Sequence, residues 1–248
     1  MPRLPRQRSE SGIYHIILRG INQQVIFEDN EDYDKFIEIL DKYKKVSEYK
    51  LFAYCLMTNH IHILLKEEKE TVDTIIKRVA TSYVYWYNWK YYRKGTLFQD
   101  RFKSEPVEND AYFLTVLRYI HQNPIKAKVV KNINEYKYSS YNDYIHCESS
   151  LIDIDFAYSM LSKEQFVKFN NEINNDICME INEPKFRLSD NDAKTKIKKI
   201  TNCDNVSEFQ ALETEKRDKF IKKLKQEGLS IRQISRLTGI SKGIVERI

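Results

Sequence analysis

His60-Ile61-His62 puts two imidazoles one residue apart inside the run Tyr54-Cys55-Leu56-Met57-Thr58-Asn59-His60-Ile61-His62-Ile63-Leu64-Leu65. The flanking residues are apolar and partly β-branched, so the run predicts a buried or half-buried strand. Side chains at i and i+2 share one face of a strand. The two rings therefore project side by side, either as a hydrogen-bonded pair or as two ligands of one divalent metal ion. Downstream, Tyr119-Ile120-His121-Gln122-Asn123-Pro124 falls on a predicted helix, where Tyr119 and Asn123 stand one turn apart on one edge. If that edge packs over the histidine strand, a phenol, a carboxamide and two imidazoles converge. A phenol with a pKa near ~10 is a weak nucleophile at neutral pH. A divalent ion held by two neutral imidazoles and an amide oxygen polarises a phosphodiester, so that a phenolic oxygen can attack phosphorus. The product is a covalent phosphotyrosine that preserves the bond energy for rejoining. Among 17 tyrosines, spacing alone does not select Tyr119.

The elements that must position these groups alternate from Gly12 to about Cys147. Tyr14 to Arg19 predicts strand one, and Asn30 to Ser47 a helix with an apolar stripe and acidic residues in its first turn. Leu51 to Met57 and Ile61 to Lys66 predict two strands joined tightly by Thr58-Asn59. A second helix spans Thr71 to about Tyr91, Leu97 to Val107 contains a fourth strand, and a third helix runs from Asp110 to Asn123, stopped by Pro124. That order predicts an α+β fold, a ferredoxin-like antiparallel sheet with helices on one face. Residues 148–212 read as a helical connector, with Ser162 to Asn174 as one amphipathic helix and Asn182-Glu183-Pro184 and the run from Ser189 as connections.

Residues 213–248 predict a helix-turn-helix. Glu213 to Gln226 is a basic amphipathic helix ended by Gly228; Ser230 caps a second helix, and Ser241 caps a third after the turn Thr238-Gly239-Ile240. Ser241, Lys242 and Arg247 would face duplex DNA, whereas a small helical bundle for protein contacts is the other reading of the same pattern. Charge favours DNA: residues 191–248 hold 14 basic and 8 acidic side chains, against 27 and 28 in residues 1–190. No apolar run approaches the ~20 residues of a membrane helix. The basic N-terminus lacks the apolar core of a signal peptide. Cys55, Cys147, Cys178 and Cys203 are scattered, as expected of free thiols in a cytoplasmic protein.

Three segments occur in order: Met57-Thr58-Asn59-His60-Ile61-His62-Ile63-Leu64, Leu97-Phe98-Gln99-Asp100-Arg101-Phe102-Lys103-Ser104, and Tyr119-Ile120-His121-Gln122-Asn123-Pro124-Ile125-Lys126-Ala127. With Leu18-Arg19-Gly20-Ile21-Asn22-Gln23-Gln24, they resemble the single-tyrosine HUH transposases (IS200-like), particularly the REP-associated tyrosine transposase branch, over residues 1–147. The resemblance implies a metal-dependent strand transferase acting on single-stranded or hairpin DNA with Mg²⁺ or Mn²⁺. It makes His60 and His62 metal ligands and Tyr119 the nucleophile that takes the 5′ phosphate and releases a 3′ hydroxyl. Asn123 sits where relatives place a third polar ligand, often glutamine, so Gln122 and His121 stand as substitutes. It also leaves open a homodimer, and attack within one subunit or across two.

Further positions carry coarser readings. Arg101 and Lys103 alternate on the expected fourth strand and could face a DNA backbone or simply guard a sheet edge. Arg19 and Asn22 could touch substrate near the site, or Asn22 could serve the turn. Arg3, Arg6 and Arg8 form a flexible basic arm. Trp86, Tyr87 and Trp89 read as core more than as base-stacking aromatics. His15 and His146 have no visible partner. Two other functions fit parts of the pattern: an RNA-binding ferredoxin-like domain, and a non-catalytic DNA-binding regulator acting through the helix-turn-helix.

Overall fold

The computed structural model describes residues 6–147, 151–176, 178–179, 190–203 and 205–248. They fall into two compact units, Met1–Glu180 and Ile181–Ile248. Arg3, the Asn182-Glu183-Pro184 segment and Ser189 lie outside the described residues. Among the described residues, no helix is long and apolar enough to cross a membrane.

The first unit is built on β1 (Ile13–Arg19), α1 (Asn30–Ser47), β2 (Lys50–Met57), β3 (His60–Lys66), α2 (Val72–Lys90), β4 (Lys103–Pro106) and α3 (Asp110–Lys126). The sheet order is β2-β3-β1-β4, antiparallel throughout, which is the ferredoxin-like arrangement. Register sets the faces. Ile17 pairs with His62 and Arg19 with His60, so His15, Ile17 and Arg19 share the face of the two histidines. Lys103 and Glu105 of β4 join that face opposite Ile17 and His15.

Helices cover both faces of the sheet, not one. Residues of both parities are buried along β1, β2 and β3, which a sheet covered on one side only would not show. α3 lies over the histidine face: Phe113 meets Phe52 edge-on at 5.1 Å, and Asn123 reaches His60 and His62. α1 and α2 pack on each other through Phe36 and Tyr83, whose rings are 5.1 Å apart. The chain closes the histidine side by adding a third helix to a fold whose first two belong to the other.

Local signals account for the helix ends. Asp29 caps α1 in a reciprocal box with Asp32, and Asn109 caps α3 by accepting from the Tyr112 N–H at 2.8 Å. Pro124 does not stop α3, which runs one residue short of Ala127. The proline sits in the last turn, where the carbonyls of Asn123 and Pro124 still accept from Ala127 and Val129 at 2.9 Å. Beyond α3, α4 (Tyr141–His146), α5 (Asp155–Tyr158) and α6 (Lys163–Asn171) pack into the same core. Ile173, inside the Ser162 to Asn174 span expected to be helical, lies past the end of this last helix and is fully exposed. In the second unit, α7 (Asp190–Thr201), α8 (Val206–Gln210), α9 (Thr214–Gln226), α10 (Ile231–Thr238) and α11 (Lys242–Arg247) surround a separate core that includes Ile197, Phe209, Leu224, Ile234 and Val245. Ser230 caps α10 in a box with Gln233. Gly239 ends it at φ 69°, and a Cβ there would meet the Gln210 amide at 2.2 Å.

Candidate active site

Strand pairing and one helix bring four polar side chains together. His62 Nε2 lies 3.2 Å from Asn123 Nδ2, and His60 Nε2 lies 3.4 Å from Asn123 Oδ1. The Tyr119 ring, one turn earlier on α3, stands edge-on to His62 at 5.7 Å and to His15 at 5.9 Å. Lys126 Nζ lies 4.5 Å over the same ring. Tyr119, His62 and Asn123 are buried, while His60 is half-buried. α3 can hold this edge inward because its remaining polar residues are satisfied elsewhere. His121 bonds Asn170 Oδ1 at 3.1 Å and Ser140 Oγ at 3.0 Å, and Gln122 donates to the carbonyls of Asn170 and Glu172. Asn123, rather than either neighbour, thus reaches the histidines.

The imidazoles are poised as neutral donors of lone pairs. Burial pushes His60 down to about 4, with a smaller contribution from the Arg19 guanidinium, against an opposing hydrogen bond to Asn123. His62 is held well below the ordinary histidine value by burial, and then by His15 and His60. His60 Nδ1 sits 2.7 Å from Asn59 Oδ1, and the Asn59 Nδ2 amide faces the carbonyl of Gln23 at 3.5 Å. Oδ1 of Asn59 is therefore an acceptor, His60 Nδ1 carries the ring's single proton, and its Nε2 is a lone pair. That lone pair faces Asn123 Oδ1, a second acceptor. Two acceptors turned on each other beside a third nitrogen are the donor set a small cation relieves. Among the described residues no group of three or more His, Cys, Asp or Glu able to hold a metal ion is found, so a cation here would rely on the two imidazoles and the amide oxygen.

Residues 9–123 match the family model described as IS200-like transposase. Those residues, just under half of the chain, are similar to that family. A protein named as a REP-associated tyrosine transposase, from Haemophilus influenzae, is 26% identical over 129 residues, covering 46% of this chain and 73% of the relative. The solved structure of a REP-associated tyrosine transposase bound to a REP hairpin superposes with a TM-score of 0.52 at 16% identity, covering 62% of this chain and 90% of that one. At that identity the likeness is one of fold.

Other expected contacts of the first unit are spread more widely. Arg19 is on the histidine face, and its Nε is buried without a hydrogen-bond partner. Asn22 is exposed in the 3₁₀ turn after β1, in a left-handed conformation at φ 51°. Lys103 is exposed on the histidine face. Arg101 does not alternate with it on a strand, because Asp100 turns the chain at φ 53° and β4 begins only at Lys103. Arg101 instead lines a pocket with Arg6, Arg8, Glu67 and Tyr14, and Tyr14 belongs to the strand parity opposite His15. Nor is Arg6 part of a free arm: it bonds Ser104 at 3.1 Å, pairs with Asp73 at 3.3 Å and stacks 3.5 Å over Phe102. Tyr87 is core, Trp86 is half-buried and Trp89 is 73% exposed. In the second unit Ser241, Lys242 and Arg247 are all exposed on or beside α11.

Sequence reasoning missed His15. Its Nε2 lies 3.1 Å from His62 Nδ1, and the two rings stack with 5.3 Å between centroids. The strand assignment put His15 on the parity of Arg19, but only the β1–β3 register places it beside His62.

Proposed function

We propose that the transposase domain cleaves and rejoins single-stranded DNA through a covalent 5′-phosphotyrosine at Tyr119. The observation that carries this reading is the convergence of His60 Nε2, His62 Nε2 and Asn123 on one point, with the Tyr119 ring packed against His62 one helical turn away. Mg²⁺ or Mn²⁺ bound by those three groups would supply Lewis-acid polarisation of the scissile phosphate. The phenolic oxygen of Tyr119 attacks phosphorus, the P–O3′ bond breaks, and the oxygen that leaves takes up a proton as a 3′ hydroxyl. The phenolic proton passes to solvent. Attack of a 3′ hydroxyl on the phosphotyrosine reverses each step and rejoins the strand, so no external energy source is needed. Arg19, with an unsatisfied Nε on the same face, supplies positive charge for the phosphate oxygens. The REP hairpin held by the structural relative makes a hairpin the first substrate to try.

The basic second unit adds duplex binding. Ser241, Lys242 and Arg247 present hydroxyl, ammonium and guanidinium groups on or beside α11, suited to phosphate and base-edge contacts.

The test is a randomised library of hairpin oligonucleotides mixed with the protein and Mn²⁺, read as a slow-migrating band on a denaturing gel. An adduct is expected, and it should vanish with Tyr119→Phe or with a chelator. A library that yields no adduct, while the protein still binds duplex DNA, would favour a non-catalytic regulator.

A further inference from the structure

His62 Nδ1 and His15 Nε2 are 3.1 Å apart, so one nitrogen carries the proton and the other offers the lone pair. The other end of His15 decides which. Its Nδ1 is buried, forms no hydrogen bond and faces Glu105 Oε2 at 3.8 Å. A lone pair turned toward a carboxylate in a buried site is repelled, whereas an N–H dipole there is attracted. Glu105 is not free to turn away: its Oε2 accepts from the Tyr112 hydroxyl at 2.7 Å and from the Met179 N–H at 3.1 Å. The proton of His15 therefore sits on Nδ1, its Nε2 accepts, and His62 must donate from Nδ1.

We propose that His15, backed by Glu105, is a positioning residue that locks His62 as the Nδ1–H tautomer and so aims its Nε2 lone pair at the metal position beside Asn123. This rests on the metal reading given under Proposed function. Asn59 does the same for His60 from the other side, through its 2.7 Å contact with Nδ1. Both ligands are thus set by neighbours that never touch the ion, a form of support whose loss typically weakens metal affinity about 10–100-fold. Without an acceptor at position 15, the Asn123 carboxamide could turn its oxygen to accept from an Nε2–H of His62. The ring would then offer its proton, not its lone pair, to the site.

Two readouts on the full chain test this. Long-range ¹H–¹⁵N spectra of metal-free protein labelled in histidine report the tautomer of His62, and calorimetric titration reports Mn²⁺ affinity. Wild type should show His62 as Nδ1–H. His15→Phe should move it toward Nε2–H and weaken Mn²⁺ about 10–100-fold. His15→Gln, whose side-chain oxygen can accept from Nδ1, should recover most of both. Should His15→Phe not fold, Glu105→Leu at the half-exposed edge strand removes the carboxylate without touching either ring, and should shift the tautomer in the same direction. An Nε2–H tautomer in wild type overturns the proposal. So does a folded His15→Phe or Glu105→Leu protein that keeps the wild-type tautomer and Mn²⁺ affinity. If wild type binds no Mn²⁺ at all, the metal reading fails, while the tautomer spectra still decide the positioning role.

Discussion

Asn123 is the residue through which the site is most directly probed, because its carboxamide meets both imidazoles. Asn123→Ala should lower Mn²⁺ affinity roughly tenfold or more, by removing one ligand oxygen, while Asn123→Asp should preserve or raise it by adding charge. Equal affinity in the wild type and both variants would place the ion elsewhere. His121, two residues earlier, has a different consequence. Burial pushes its imidazole down to about 4, with the Asn170 hydrogen bond opposing. In the unfolded chain the same group titrates near 6.5, so below that pH the unfolded state binds a proton that the folded state refuses. The stability involved is complete above about pH 6.5 and drains as pH falls toward 4, by up to roughly 3 kcal/mol for this one group. Urea unfolding followed by tryptophan fluorescence reads the first unit alone, since Trp86 and Trp89 are both on α2. Wild type should lose stability between pH 7 and pH 4.5, and His121→Gln should lose about 2 kcal/mol less. An unchanged pH slope would mean that His121 already takes up a proton in the fold.

At the scale of elements, α3 is the part on which the site depends. Its position over the sheet is set on the far side by Arg118, which makes a two-pronged pair with Asp176 at 2.8 and 2.9 Å and lies 3.9 Å over Phe169. Both partners are nearly buried, with side-chain exposures of 10% and 14%. Removing one leaves the other uncompensated, so Arg118→Ala should destabilise the first unit by about 3 kcal/mol, with the loss of adduct formation tracking the loss of folded protein. A variant as stable as wild type would show that residues 151–179 do not hold α3. The turn after β1 is a second fixed point. A Cβ on Gly20 would meet the Gln24 carbonyl oxygen at 2.3 Å, so Gly20→Ala must open the turn that follows Arg19. The expected result is weaker DNA binding and, because Gly20 and Gln23 hold Asn59 beside His60, weaker Mn²⁺ binding, both measured on the same preparation.

For the whole molecule, two units with separate cores let the two proposed DNA contacts be tested one at a time. Lys242→Glu with Arg247→Glu should weaken duplex binding and flatten its dependence on salt, because fewer counterions are released per binding event. Adduct formation on a hairpin should persist in that variant, whereas Tyr119→Phe should abolish the adduct and leave duplex binding intact. Loss of both activities in either variant would mean that the units act as one.

Periodicity and local chemistry carried the order of strands and helices, the bounds of α1 and the pairing of His60 with His62 on one face. Those features depend on residues close in sequence, where a period of two or 3.6 is written directly into the chain. The cap at Ser230 was legible for the same reason. Tertiary structure alone decided the rest. The β1–β3 register put His15 against His62, and a third helix covered a face the pattern had left to water. Burial of His121 and Gln122 against residues 140 and 170–174 turned Asn123, not its neighbours, toward the histidines. Each of these outcomes is a contact between residues far apart in the chain, and its geometry exists only once the strands have paired and the core has closed.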